Sequence, residues 1–230
     1  MGGKFELMKI ARIPVLVDVT FIVLIVLWGS GYLQAGSTQM LSAGIVVVIG
    51  LAASILIHEF AHAFSGRYFG TRVAAVELNG LGGLCYWASS LPRNAWARIA
   101  ISLAGPASNL VLWLIFDQLA DLARSTRNPF VIHVLSMLAI ANWYLFVFNL
   151  LPSFPLDGGP ALDDFLCQYI GGWQATRFVA YLGLLVALAV GAWALQHGYG
   201  LWTLMLAALL AWSNWSVLQS MGPPPRGRWN

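Results

Sequence analysis

The sequence predicts an all-α polytopic membrane protein of about six transmembrane helices, with a small membrane-associated β-hairpin between the second and third. Three observations carry that reading. Only 9% of the 230 residues are Asp, Glu, Lys or Arg, about a third of the share found in a soluble domain. Hydrophobic residues make up 59% and gather into runs at about 13–33, 40–66, 98–118, 130–151, 174–196 and 200–219, each near the roughly 20 residues that a spanning helix needs. The basic residues also fall on one side. With the N-terminus inside, Lys4, Lys9, Arg12, Arg67, Arg72, Arg93, Arg98, Arg177, Arg226 and Arg228 flank the inner ends of the runs, and only Arg124 and Arg127 the outer ends. The positive-inside rule then places both termini in the cytoplasm.

The first run is too long for a signal-peptide core and lacks a small-residue cleavage site, so it reads as the first span, with Asp18 early in it. The second contains "HEFAH", residues 58–62. Between the second and third lies "GTRVAAVELNGLGGLCYWASSLPRNAW", rich in Gly and in β-favouring Val, Tyr and Trp, with a turn signal at "NGLGG". That segment predicts a hairpin or re-entrant loop. The fourth run ends in "LPSFPLDGG", where two prolines and a glycine pair stop the helix, and a short helix is expected from Pro160. The fifth and sixth runs complete a single domain over 1–230, with a core at about 40–160 and C-terminal helices at about 174–219. The tryptophans cluster near run ends, as interfacial anchors do.

Composition also excludes. A net charge of +3 with scattered arginines gives no nucleic-acid footprint. Cys85 and Cys167 have neither CxxC nor zinc-ribbon spacing and read as reduced thiols. No pattern speaks to oligomeric state.

The polar cluster in the second run is the functional signal. His58-Glu59-Phe60-Ala61-His62 is an H-E-x-x-H. On a helix, positions i and i+4 share a face about 6 Å apart, so both imidazoles can bind one metal ion. Glu59 sits one step round, placed to reach a water beside the ion. An unpaired Glu in a membrane helix costs at least ~2.5 kcal/mol, so such a residue defaults to function.

A zinc site of this kind needs a third protein ligand. His133 and His197 lie near the outer ends of their runs, whereas His58 is about nine residues, or ~13 Å, from the cytoplasmic end of its helix. Glu77 falls in the hairpin. On depth Asp157 is favoured, because unwound backbone is tolerated in a membrane only where it lines a cavity or packs in protein. Asp18 and Cys85 come second.

Three segments together resemble the site-2 protease family, the intramembrane zinc metalloproteases. "HEFAH" is similar to its H-E-x-x-H helix, "NLLPSFPLDGG" to its N-x-x-P-x-x-x-D-G element, and "SLAGPASN", residues 102–109, to its G-P-x-x-N stretch. The resemblance implies one zinc per chain on His58, His62 and Asp157, with Glu59 as base. It implies Asn109 and Asn149 as groups facing the substrate or the developing oxyanion. It also implies that the hairpin, through Gly82, Gly83, Leu84 and Cys85, pairs with an unwound substrate strand. The layout is that of a short form without PDZ or CBS domain, and it has Asp18 where many short members carry a His.

The expected function is hydrolysis of a peptide bond within or beside the transmembrane helix of a membrane-protein substrate, near the cytoplasmic face. The expected setting is the plasma membrane of a prokaryote, with a separate regulatory membrane protein as a possible partner. The alternatives are a metal-binding transporter, which would need polar ligands at a second depth, and a catalytically silent substrate-binding homologue, which would be expected to lack Glu59 or a ligand.

Overall fold

The residues at 13–18 show first why apolar content alone does not choose the element. Ile13, Val15 and Val17 are buried and Pro14, Leu16 and Asp18 only half-buried, a period of two that belongs to a strand. The structure, a computed structural model describing residues 3–34, 36–198 and 200–223, accordingly has strand β2 at Ile13–Asp18. Strand β1, Lys4–Ile10, precedes it and helix α1, Val19–Leu33, follows. Asp18 is the N-cap of α1, its carboxylate accepting a hydrogen bond from the Thr20 backbone N–H at 2.8 Å. A cap of this kind is typically worth about 1 kcal/mol, and it fixes where strand gives way to helix. The expected first span over 13–33 is therefore corrected to a strand and a helix of 15 residues. Arg226 and Arg228, counted among the inner basic residues, lie outside the described residues.

The remaining elements are α2 (Thr38–Tyr68), β3 (Val73–Asn79), β4 (Gly82–Trp87), α3 (Ala95–Thr126), α4 (Pro129–Asn149), α5 (Gly158–Ile170), α6 (Gly172–His197) and α7 (Leu201–Ser220). Among the described helices, α2, α3, α4 and α6 are long and apolar enough to cross a membrane, against the six runs read from sequence.

The chain forms two compact units. The first comprises Met1–Pro92 and Ala104–Val147. Its strands make one sheet in the order β1-β2-β3-β4, so the pair β3–β4 is half of a larger sheet and not a lone hairpin. Pairs β1–β2 and β3–β4 are antiparallel, and β2–β3 is parallel with Val15 opposite Val76. Lys4 on β1 donates to the Glu77 carboxylate on β3 at 2.7 Å, which holds the Lys4 ammonium above its ordinary range. Helix α2 packs on the sheet through Phe60 and Ala63 against Ile13, Val15 and Val76, and through Ile55 against Val17 and Leu78. Full burial of each such Val or Ile contributes roughly 1.5–3 kcal/mol. Higher up, Ala43 and Val47 of α2 meet Val134 and Leu138 of α4. These contacts fix the rotation of α2, and with it the direction of residues 58–62.

The second unit comprises Arg93–Leu103 and Phe148–Asn230. Helix α6 packs against both α5 and α7. The first turn of α3 is tied to α5 by Arg98 and Asp164 at 2.6 Å.

Candidate metal centre

Helix α2 delivers His58 and His62 one turn apart. Both rings are buried, set edge to face with centroids 4.8 Å apart, and their Nε2 atoms approach to 3.1 Å. Two imidazole nitrogens on one tetrahedral zinc, each at 2.0–2.1 Å, stand about 3.3 Å from each other. The pair is thus already at ligand spacing. Gly105 of α3 explains how room is kept: a methyl group there would fall on Nε2 and Cε1 of His62 and on Nε2 of His58. The missing side chain leaves space beside the two nitrogens, and Pro106 follows it inside the helix. On these observations the residues fit a metal ion.

Glu59 is 6% exposed and next along the helix. Gly83 of β4 lies against its carboxyl group so closely that any side chain at 83 would strike Glu59 Cγ, Cδ and Oε1. Residues Gly82 and Leu84 flank that contact, and β4 is an edge of the sheet. Cys85, opposite Val76 on the same strand, has its thiol pushed up to about 12, first by burial and then by the Glu59 carboxylate. A raised thiol pKa withholds the thiolate at lower pH. Alkylation of native Cys85 at pH 8 should therefore run about 10²–10³ times slower than in the denatured chain and climb about tenfold per pH unit. Mass-spectrometric labelling rates check this, and a native rate near the denatured one would refute it.

Asn109, fully buried on α3, meets His58 Nδ1 through its side-chain oxygen. Its amide nitrogen donates to Asn142 Oδ1 of α4 at 2.9 Å. Asn142 in turn donates to Ser54 Oγ of α2 at 3.0 Å and to the Leu138 carbonyl at 2.9 Å. Ser54 and Asn142 were not picked out from the sequence. An Asn inside a strongly apolar run was the available signal, since such a residue is expected to be hydrogen-bonded.

The other acids and histidines considered as ligands have local roles. Asp18 caps α1 and Glu77 pairs with Lys4. His133 Nε2 meets the Tyr32 hydroxyl at 3.1 Å, and His197 Nδ1 meets the Trp193 carbonyl at 3.0 Å.

In the second unit, Asn149 ends α4 and Asp157 stands at the N-cap position of α5 without bonding that helix through its side chain. The turn between them is built on close backbone approach. A side chain at Gly158 would strike the Leu150 and Leu151 carbonyls, and one at Gly159 would meet Ser153 and Phe154 at 2.8–3.0 Å. Fully buried Asn214 of α7, also missed in the sequence, clamps this turn. Its amide nitrogen donates to Ser153 Oγ at 2.8 Å and to the Phe154 carbonyl at 2.9 Å, and its oxygen accepts from the Phe154 N–H at 3.2 Å. Asn214→Leu would strand these groups at ~1–3 kcal/mol each. Thermal unfolding in detergent should show a loss of at least ~2 kcal/mol, and an unchanged midpoint would count against the clamp.

Residues 46–123 match the model of peptidase family M50. The chain is 29% identical over 189 residues to the zinc metalloprotease MJ0392 of Methanocaldococcus jannaschii, covering 82% of this chain and 53% of that protein. It is 37% identical over 159 residues to Rip3 of Mycobacterium tuberculosis, covering 65% of this chain and 40% of that one. The chain thus spans about half the length of these relatives or less. In fold it resembles the solved site-2 protease from M. jannaschii, with a TM-score of 0.64 at 19% identity over 98% of this chain and 100% of that one.

Proposed function

We propose that this chain, a relative of the site-2 proteases with the M50 signature over residues 46–123, is an intramembrane zinc metalloprotease that hydrolyses a peptide bond within or beside the transmembrane helix of a membrane-protein substrate. One observation carries the reading. Two imidazole Nε2 atoms converge at 3.1 Å on space kept open by Gly105, with the Glu59 carboxylate on the next residue. His58 and His62 are the first two zinc ligands. Asp157 is the third, supported by the family element in which it stands and by the local partners that occupy Asp18 and Glu77.

A bound zinc supplies Lewis acidity, polarising a carbonyl and lowering the pKa of a neighbouring water. The chain's own groups do the rest. Glu59 takes a proton from the attacking water and returns it to the leaving nitrogen, general acid–base work worth 10²–10⁴-fold. Its burial excludes bulk water, which strengthens that interaction. The β4 edge through Gly82, Gly83, Leu84 and Cys85 is suited to hold an unwound substrate segment by backbone hydrogen bonds, because Gly83 already lies against Glu59. Asn149 faces the substrate. Asn109 has one amide hydrogen on Asn142 and retains a second for the oxyanion.

The remaining parts of the reading are its setting. Cleavage falls near the cytoplasmic face of a prokaryotic plasma membrane, with both termini inside. The protease is one domain over 1–230, its core at about 40–160. Membranes of host cells expressing the wild type or Glu59→Gln are compared for precursors. A single-span protein that stays intact only with the variant is the expected result. No difference, with zinc bound in both, would overturn the protease reading.

A further inference from the structure

We infer that Ser54 and Asn142 are positioning residues that, through Asn109, fix the tautomer of His58 and so keep its Nε2 lone pair available to a metal ion. The inference deepens the metalloprotease reading and rests on it for the identity of the ion.

The direction of every hydrogen in the relay follows from its two ends. Ser54 Oγ lies 2.9 Å from the Gly50 carbonyl, which can only accept, so the Ser54 hydroxyl donates there and its oxygen is left to accept. Asn142 approaches Ser54 Oγ and the Leu138 carbonyl with one end of its amide. The Leu138 carbonyl also only accepts, so that end is the nitrogen, and both its hydrogens are used. Asn142 Oδ1 must then face Asn109 and accept from it. That places the Asn109 oxygen toward His58 Nδ1. An oxygen there requires Nδ1 to carry the proton, which leaves Nε2 as the lone-pair nitrogen.

The burial makes the relay binding. Asn109 and Asn142 are wholly buried and Ser54 is 1% exposed, so water offers no alternative partner. Ser54 and His58 lie one turn apart on α2, whose rotation is fixed by the sheet. Two backbone carbonyls, on α2 and α4, therefore dictate which ring nitrogen of a residue on α2 meets the metal. Remove Asn142, and the Asn109 amide loses the acceptor that orients it. It can then turn its nitrogen to His58, which would put the proton on Nε2.

The test uses the full chain in detergent, with zinc affinity read by competition against a chromophoric chelator and the coordination sphere by cobalt substitution. Asn142→Leu is expected to weaken zinc binding 10–100-fold, as loss of an outer partner of a metal-bound histidine does, with helix content unchanged. Adding Asn109→Asp to that variant is expected to restore affinity, because a carboxylate cannot turn a donor toward Nδ1. The ¹⁵N-histidine spectrum of the metal-free protein should show His58 protonated on Nδ1 in the wild type and the double variant, and mixed in Asn142→Leu. Wild-type affinity in Asn142→Leu, or no rescue by Asn109→Asp, would overturn the inference and leave these residues as packing. A wild type that shows the Nδ1 proton but takes up no stoichiometric zinc would sink the metalloprotease reading and leave the relay standing.

Discussion

Glu59→Gln is expected to retain one zinc per chain while losing cleavage by ~10²–10⁴-fold, and His62→Ala to lose both. The difference follows from position on α2. Glu59 is a single residue step from His58, and its carboxyl group lies against Gly83 of β4. Gln is its isostere and fits the same contact with the strand, so the fold and the imidazole pair are undisturbed. Only the ability to take a proton is removed. His62 supplies one of two nitrogens already at ligand spacing, and its loss should cost more metal affinity than the 10–100-fold typical of an outer partner. Elemental analysis of the purified variants and cleavage of a single-span substrate in reconstituted vesicles separate the two effects. If Glu59→Gln also lost its zinc, the carboxylate would be a ligand and the assignment of base would fail.

The site was legible where chemistry repeats at short spacing. An i, i+4 pair of histidines flanking a glutamate survives any tertiary arrangement, because one helical turn alone brings the rings together. Partners drawn from separate helices leave no such trace. Asn142 lies in α4 and Asn214 in α7 without belonging to any spaced motif. Each matters through the carbonyl, hydroxyl or amide that the fold sets opposite it, and sequence spacing carries nothing about that. Gly105 beside Pro106 reads locally as a helix start or kink, yet in three dimensions it is the space beside two imidazoles. The first apolar run failed for another reason. Residues 13–18 are as apolar as the helix after them, and hydropathy cannot tell a buried strand from a buried helix over six residues. The alternation of Ile13, Val15 and Val17 was present, with Asp18 placed to cap, and those two local signals outrank mean hydropathy there.

Gly105→Ala should uncouple folding from metal binding in a single methyl group. In a helix, Ala is favoured over Gly by ~0.8–1 kcal/mol, so propensity alone predicts an equal or higher unfolding midpoint. The methyl, however, lands on the Nε2 atoms of both histidines. To admit it the rings must rotate, and His58 cannot rotate without leaving Asn109. Overpacking of this kind costs ~1–3 kcal/mol, charged here against the one geometry in which both lone pairs meet a metal, so zinc affinity should fall about 5–150-fold. Competition titration and thermal unfolding of the metal-free protein, measured on the same preparation, read the two terms separately. A variant that folds as the wild type and still binds zinc as tightly would show that the imidazole pair coordinates away from Gly105. A variant that no longer folds would show that the space serves packing of α2 and α3 first. Weak zinc with an intact fold is the expected result, and it would place the vacancy at Gly105 among the determinants of the metal site on the same footing as the ligands.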